Sequence, residues 1–370
     1  MITAIVASPT RTNLLLADAW RALGVNARVL WPIEALDELK EGDVALFRLD
    51  VLPTLDGVEP GLELATTLEQ GGTRVLNRPR SLLAAHDKLL TAQRLVAAGI
   101  EHPATVHIDP AGTTPEVAFP CVLKPRFGSW GQDVFLCRAP SELYATLRSI
   151  EERSWWRLHG ALLQEFVGPA RRDLRLVVAG DDIVAGAERT AAWGEWRTNV
   201  SLGGRVRPTR LPRAAQELAV RAARAIDIDF AGVDLLPTNG GWIVLELNGA
   251  VDFDARYALL GRDPYAATLD ALDIRRTEAH ASSGVLQSER QEDTMVKTVT
   301  GKPARPGDEI VITGHSVGDS PRTAVIEEVL GEPGHERFRV RWEDGHESIY
   351  FPGEDAVLRR PRGSRARSTA

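Results

Sequence analysis

Two apolar runs, Phe230–Leu236 and Trp242–Leu247, stand on either side of Thr238-Asn239-Gly240-Gly241. An Asn-Gly pair between such runs commits the chain to a β-hairpin, because both residues tolerate the positive φ of a tight turn. The hairpin carries acids. Asp234 lies on its first strand, and Glu246 and Asn248 on its second, an oxygen-only set of the kind that suits a hard cation such as magnesium. Glu246 and Asn248 are two residues apart, so the strand period turns both to one face. Asp234 must reach that face too. A two-residue loop would set it opposite Leu245, pointing away, whereas an odd-length loop, of about three or five residues, pairs it with Glu246; the odd length is therefore expected. A merely solvated polar face is the alternative reading.

A second signal is a strand lysine running into a glycine-bearing loop, Val122-Leu123-Lys124-Pro125-Arg126-Phe127-Gly128-Ser129-Trp130-Gly131. Glycines let backbone N–H groups approach anionic oxygens while Lys124 supplies a point charge; the lysine precedes the loop, unlike that of a P-loop. Lys88, opening a helix, reads by itself as a surface lysine. A third is Gln164-Glu165-Phe166-Val167-Gly168, a strand leaving through a glycine, whose backbone could meet an adenine edge. Asp173 could accept from ribose hydroxyls. Arg175, Arg189 and Arg197 offer guanidinium groups suited to phosphate or carboxylate, although solvated surface arginines are the default for each singly.

Residues 1 to about 85 alternate strands and helices: Ile2–Ala7, a helix Asn13–Leu23 closed by Gly24, Ala27–Leu30, Asp43–Phe47 and Arg74–Leu76. They contain no G-x-G-x-x-G, so a dinucleotide site there has no support. A helix from Asp87 to its stop at Gly99 then leads into a strand-rich middle with few helices, at Cys121–Lys124, Val134–Cys137, Leu162–Phe166, Asp173–Val178 and Ile183–Arg189 before the hairpin. That pattern predicts α+β rather than a doubly wound sheet. From about Glu278 to Asp293 the sequence is small, polar and aperiodic, as a linker would be. Short strands follow at Glu309–Thr313, Ala324–Leu330, Phe338–Trp342 and Ser348–Phe351, which suggests a small barrel. Within it Gly314-His315-Ser316-Val317-Gly318 matches a nucleophile-elbow pattern, but Gly318 and Pro321 forbid the helix that the elbow needs, so hydrolase chemistry is rejected.

Taken in order, Asn77-Arg78-Pro79, His86-Asp87-Lys88, Lys124-Pro125 with Gly128-Ser129-Trp130-Gly131, Gln164-Glu165-Phe166-Val167, Asp173-Leu174-Arg175, Arg197-Thr198-Asn199 with Gly203-Gly204, and Asp234 with Glu246-x-Asn248 resemble the ATP-grasp superfamily, and within it the RimK-like and LysX-like amino-acid ligases. The resemblance spans roughly residues 1 to 275. It implies an α+β ATP-grasp fold: a small N-terminal α/β pre-ATP-grasp domain (1–85), two α+β subdomains making the ATP-grasp domain (86–277), a linker (278–294), a small SH3-like β-barrel resembling a bacterial domain of unknown function (295–360) and a disordered basic tail (361–370). The implied activity is ATP-dependent carboxylate–amine ligation through an acyl phosphate, with glutamate or another amino acid. A non-catalytic ATP-binding scaffold and an ATP-grasp phosphotransferase are the rival readings. ATP and one or two magnesium ions, or manganese, are the implied cofactors. Lys124, Arg189 and Arg197 are the implied catalytic residues. Lys88, Lys124, Gly128, Ser129, Trp130, Gly131, Gln164, Glu165, Phe166, Val167, Asp173, Arg175, Arg197, Thr198 and Asn199 would bind nucleotide, and Asp234, Glu246 and Asn248 metal. The partners would be a small-molecule amino acid and a carboxylate acceptor, small or carried on a protein, and the assembly a homo-oligomer.

Composition narrows the remaining classes. A formal charge of −7 argues against coating nucleic acid, and the Arg359–Arg367 stretch is too short to reverse it. No apolar run approaches the roughly 20 residues that span a bilayer, and the start lacks the pattern of a secretory signal, so a cytoplasmic protein is expected. Only Cys121 and Cys137 are present. That number excludes a disulfide framework and predicts reduced core thiols.

Overall fold

The computed structural model describes residues 1–112, 116–168, 171–259, 261–274, 305–312, 322–330, 337–342, 347–350 and 356–359. The expected linker, the basic tail and the Gly314–Gly318 pattern lie outside them. The described chain falls into two compact units, Met1–His280 and Ala281–Ala370.

In the first unit β1 (Thr3–Val6), β2 (Ala27–Leu30), β3 (Val44–Phe47) and β4 (Arg74–Leu76) form a parallel sheet of order β2-β1-β3-β4. β1 and β3 are buried along their whole length, as a sheet covered on both faces requires. The covering helices are α1 (Arg11–Ala22), α2 (Pro32–Glu38), α3 (Leu64–Gln70) and α4 (Pro79–His86). Asn77 ties this sheet to the next layer. Fully buried at φ +56°, it donates through Nδ2 to the carbonyls of Phe47 (3.0 Å) and Phe230 (2.9 Å), and its Oδ1 accepts from the Phe230 amide (2.8 Å). Asn77→Ala strips three buried hydrogen bonds at once, so we expect a loss of about 3 kcal/mol in urea unfolding, and a loss below about 1 kcal/mol would refute the tie.

Helix α5 (Lys88–Ala97) opens the middle, with Asp87 as its N-cap accepting from the amides of Leu89 and Leu90. A four-stranded antiparallel sheet follows, of order β5-β8-β6-β7, from β5 (Thr105–Ile108), β6 (Cys121–Pro125), β7 (Phe135–Cys137) and β8 (Ala161–Glu165), with α6 (Pro140–Ser149) and α7 (Ser154–His159) between β7 and β8. Cys121 and Cys137 are free, buried and paired across β6 and β7. A five-stranded antiparallel sheet comes next, from β9 (Arg172–Ala179), β10 (Asp182–Thr190), β11 (Arg205–Pro208), β12 (Phe230–Thr238) and β13 (Gly241–Asn248), in the order β11-β10-β9-β12-β13. Between β11 and β12 runs α8 (Arg213–Ala225), an amphipathic helix whose alanines Ala215, Ala219, Ala222 and Ala223 let it lie close against Leu174, Leu176, Val233 and Leu235. The middle is therefore richer in helix than its strand pattern suggested. α9 (Pro264–Ala271) packs on α1, where Trp20 Nε1 donates to the Tyr265 carbonyl (3.0 Å).

The described residues of the second unit form one antiparallel sheet, β17-β16-β15-β14-β18, built from β14 (Glu309–Ile312), β15 (Arg322–Leu330), β16 (Arg337–Trp342), β17 (Glu347–Tyr350) and β18 (Ala356–Arg359). Among the described residues Ile310, Ala324, Ile326, Phe338 and Val340 are its buried apolar side chains. β18 was not foreseen from sequence. No described helix is long and apolar enough to cross a membrane.

Candidate active site

The hairpin reaches its register by a route that the loop argument missed. Thr238 pairs with Gly241 around a two-residue Asn239-Gly240 turn, so the expected odd-length loop does not form. A β-bulge does the work instead: the register shifts between Leu235↔Val244 and Asp234↔Glu246, Leu245 being the added residue. Asp234 therefore pairs with Glu246 and shares its face. β9 extends the row, since Asp234 also pairs with Arg175, and in the neighbouring row Asp173 pairs with Arg189 of β10. One face of the sheet thus gathers Asp173, Arg175, Arg189, Asp234, Glu246 and Asn248, while Leu174, Val233, Leu235 and Leu247 of the other face enter the core with α8.

These charges divide by depth. Arg175 grips Asp234 through Nε and Nη2, both at 2.8 Å, and Arg189 Nη2 reaches the same carboxylate at 2.8 Å. Arg189 also holds Asp173 at 2.8 and 2.5 Å, and Thr198 Oγ1 donates to that carboxylate. Burial pushes the Asp234 carboxyl up, but the two guanidiniums outweigh it and hold it well below the usual range. For Arg189 burial acts downward and the two aspartates overcome it, keeping it firmly cationic. None of Arg175, Arg189, Asp234 and Asn248 lines the cleft. Asp234, expected beside Glu246 as a cation ligand, is instead enclosed by arginines at 1% exposure; Asp173, expected to face ribose, lines the cleft with its carboxylate already spoken for. The sequence pattern could not show that these opposite charges neutralise one another across strands.

The cleft itself is open to solvent. Around it lie Lys88, Lys124, Gly128, Ser129, Trp130, Gly131, Gln164, Glu165, Phe166, Val167, Asp173, Arg197, Thr198, Asn199 and Glu246. Neither lysine is a surface group. Lys88 is buried, donates to the Gly128 carbonyl and stands 3.6 Å from Glu246 Oε2. Its helix is docked by Asp87, which takes a bidentate pair from Arg126 at 2.8 and 2.6 Å. Lys124 Nζ donates to Gln164 Oε1 at 2.8 Å, and Gln164 in turn donates to Thr105. Burial, with Lys88 adding to it and Glu246 opposing, lowers the Lys124 pKa to about 8. The affinity of the cleft for a nucleotide triphosphate should therefore fall as pH rises from 8 to 9.5 and Lys124 loses its charge, by about tenfold; fluorescence titration of Mg-free ATP against pH checks this, and a flat profile would remove Lys124 from phosphate binding.

Sequence reading passed over Trp196 and Glu195. Trp196 meets Phe166 edge to face at 5.6 Å, making an apolar wall suited to a base. Glu195 clamps Arg197 through both oxygens, and Arg197 reaches the carbonyls of Gly131 (2.9 Å) and Val134 (3.2 Å). Together with Ser201, which donates to the Trp130 carbonyl at 2.8 Å, this pins the glycine loop over the cleft. Gly131 is obligatory there: at φ +74° a Cβ would sit 2.8 Å from Asn199 Oδ1. The aromatic position immediately before Arg197 was the available signal.

An oxygen-seeking cation fits part of this site. Among the described residues Glu246 accepts no hydrogen bond and forms an ion pair with Lys88 alone, and Asn248, two residues further along the strand, adds an amide oxygen on the same face. Among the described residues no cluster of three or more His, Cys, Asp or Glu could hold a metal. Glu246 and Asn248 would thus supply only part of a shell that phosphate oxygens and water complete, the usual arrangement for magnesium.

A cleft of buried lysines, a glycine loop and a base-sized aromatic wall between two antiparallel sheets is built for a nucleotide triphosphate, as in the ATP-grasp enzymes. Comparison with known proteins agrees. The RimK-like ATP-grasp domain family matches residues 85–266, and a domain of unknown function, DUF1918, matches 303–358. A probable alpha-L-glutamate ligase of Xanthomonas euvesicatoria pv. vesicatoria is 32% identical over 280 residues, covering 71% of this chain and 94% of that one. The RimK-domain ATP-grasp protein of Sphaerobacter thermophilus superposes with a TM-score of 0.53 at 23% identity, covering 73% of this chain and 98% of that one. PsnB, an ATP-grasp ligase solved with a minimal precursor, Mg and ADP, gives 0.52 at 16%, covering 74% and 97%. The chain belongs to the RimK-like ATP-grasp family.

Proposed function

We propose that the chain uses ATP to activate a carboxylate as an acyl phosphate and joins it to the amine of an amino acid, releasing ADP and phosphate. Glutamate is the amino acid to which the name of the Xanthomonas relative points. The observation that carries this reading is the convergence of Lys88, Lys124 and Glu246 on one cleft beside the Phe166–Trp196 wall. The wall receives adenine with the backbone of 165–167. Lys124 and Lys88 hold phosphate oxygens, and the 128–131 loop covers them and excludes water. Magnesium, held by Glu246 and Asn248, would supply charge neutralisation at the transferring phosphoryl group. Arg189 acts from behind the cleft wall: it fixes Asp173, which holds Thr198 beside the phosphates, and with Arg175 it holds Asp234 in place beneath Glu246.

Trapping with hydroxylamine tests the reading. The purified chain, ATP, magnesium and pools of carboxylates should yield hydroxamate together with ADP. ADP without hydroxamate would point to a phosphotransferase, and neither product would count against catalysis altogether.

A further inference from the structure

Arg48 follows β3 at the carboxyl end of the parallel sheet and is 2% exposed. Its Nε donates to Asn13 Oδ1 and its Nη2 to the Val251 carbonyl, both at 2.7 Å, and the Phe230 ring lies 5.0 Å from its Cζ. Among the described residues it makes no ion pair, and Nη1 has no hydrogen-bond partner. A buried guanidinium left in this state is costly unless an anion joins it. Burial lowers its pKa to about 10, and the two groups acting most strongly to restore it are Asp252 and Asp50.

Neither carboxylate bonds to it. Asp50 accepts only from its neighbour Val51 and Asp252 only from Thr12 Oγ1, so each keeps one oxygen without a donor. Asp50 is driven up to about 6 by burial, with Asp252 and Glu59 adding to it. The location is also telling. In the order β2-β1-β3-β4, connections leave β1 and β3 in opposite directions, and the crevice at their carboxyl ends is where open parallel sheets receive ligands. Asp252 is exposed and lies four residues beyond Asn248, which keeps it within about 14 Å of the cation pair by chain length alone. Two further buried atoms without partners, His86 Nε2 and Asn248 Nδ2, border the same 248–251 stretch, His86 Nε2 standing 3.1 Å from where a Gly249 Cβ would be.

We propose that this crevice is the subsite for the α-amino-acid substrate, with Arg48 Nη1 receiving its carboxylate and Asp50 and Asp252 its ammonium group. A buried cation with two half-free anions at its rim complements a zwitterion, and neither an amine nor an acid alone would satisfy both. This deepens the ligase reading and rests on it.

The test uses the full chain with ATP, magnesium and the pooled carboxylates of the hydroxylamine experiment, so that the partner of the amino acid is present. Calorimetry measures binding of each of the twenty proteinogenic amino acids, and an ADP-release assay measures KM for the amino acid and for ATP. In Asp252→Asn, an exposed change that leaves folding intact, and in Asp50→Asn, the amino-acid KM should rise about tenfold or more while that for ATP stays within about twofold; Arg48→Lys, which cannot keep the forked geometry, should raise it by about a hundredfold. Amino-acid-dependent ADP release with unchanged KM in both aspartate variants would overturn the subsite and leave the ligase standing. Binding of an amino acid that those variants weaken, without amino-acid-dependent ADP release, would overturn the ligase reading and keep the subsite. No binding by the wild type would overturn the subsite.

Discussion

Glu246→Gln should reduce ADP and hydroxamate formation by about a thousandfold or more while the thermal midpoint stays within a few degrees. The reasoning is electrostatic. Among the described residues Glu246 is the one carboxylate lining the cleft whose oxygens accept no hydrogen bond, and Lys88 stands 3.6 Å away without claiming it. The amide is isosteric, so packing survives, but it is neutral and cannot hold a hard cation against two lysines. Excess manganese should recover little of the loss. Turnover within tenfold of wild type would exclude Glu246 from cation binding.

Arg189→Ala carries the largest stability effect. It leaves Asp173 and Asp234, at 2% and 1% exposure, sharing only Arg175 and the Thr198 hydroxyl. Removing one partner from a buried charge network costs about 3–5 kcal/mol, because the remaining carboxylates stay desolvated. Urea unfolding should show this, with Arg189→Lys recovering part of it through charge but not the fork that spans both aspartates. A cost under about 1 kcal/mol would mean that water replaces the guanidinium and that the network is not structural.

Much of this protein was legible in its sequence because the signals are local. The strands Ala27–Leu30 and Arg74–Leu76 fall where their apolar residues and flanking turns place them, and the hairpin turns at Asn239-Gly240, between the two apolar runs, although neither residue there takes a positive φ. α8 was missed although its alanine face is periodic, because an alanine stripe is a weak hydrophobic signal until something packs on it.

The site was legible as a set of residues and not as an arrangement. Sequence determined that Lys124 precedes a glycine loop, that Glu246 and Asn248 share a face, and that arginines recur on neighbouring strands. Which charges meet was a tertiary decision. The bulge at Leu245 turned Asp234 towards Glu246, cross-strand register then delivered Arg175 and Arg189 to it, and burial made that neutralisation obligatory. The reach of Arg48 to Asn13 and Val251, residues 35 and 203 positions away, is likewise invisible to any spacing rule. Local chemistry is written in the chain, but the energy of a buried charge depends on what lies within a few ångströms of it, and only the packed fold sets that.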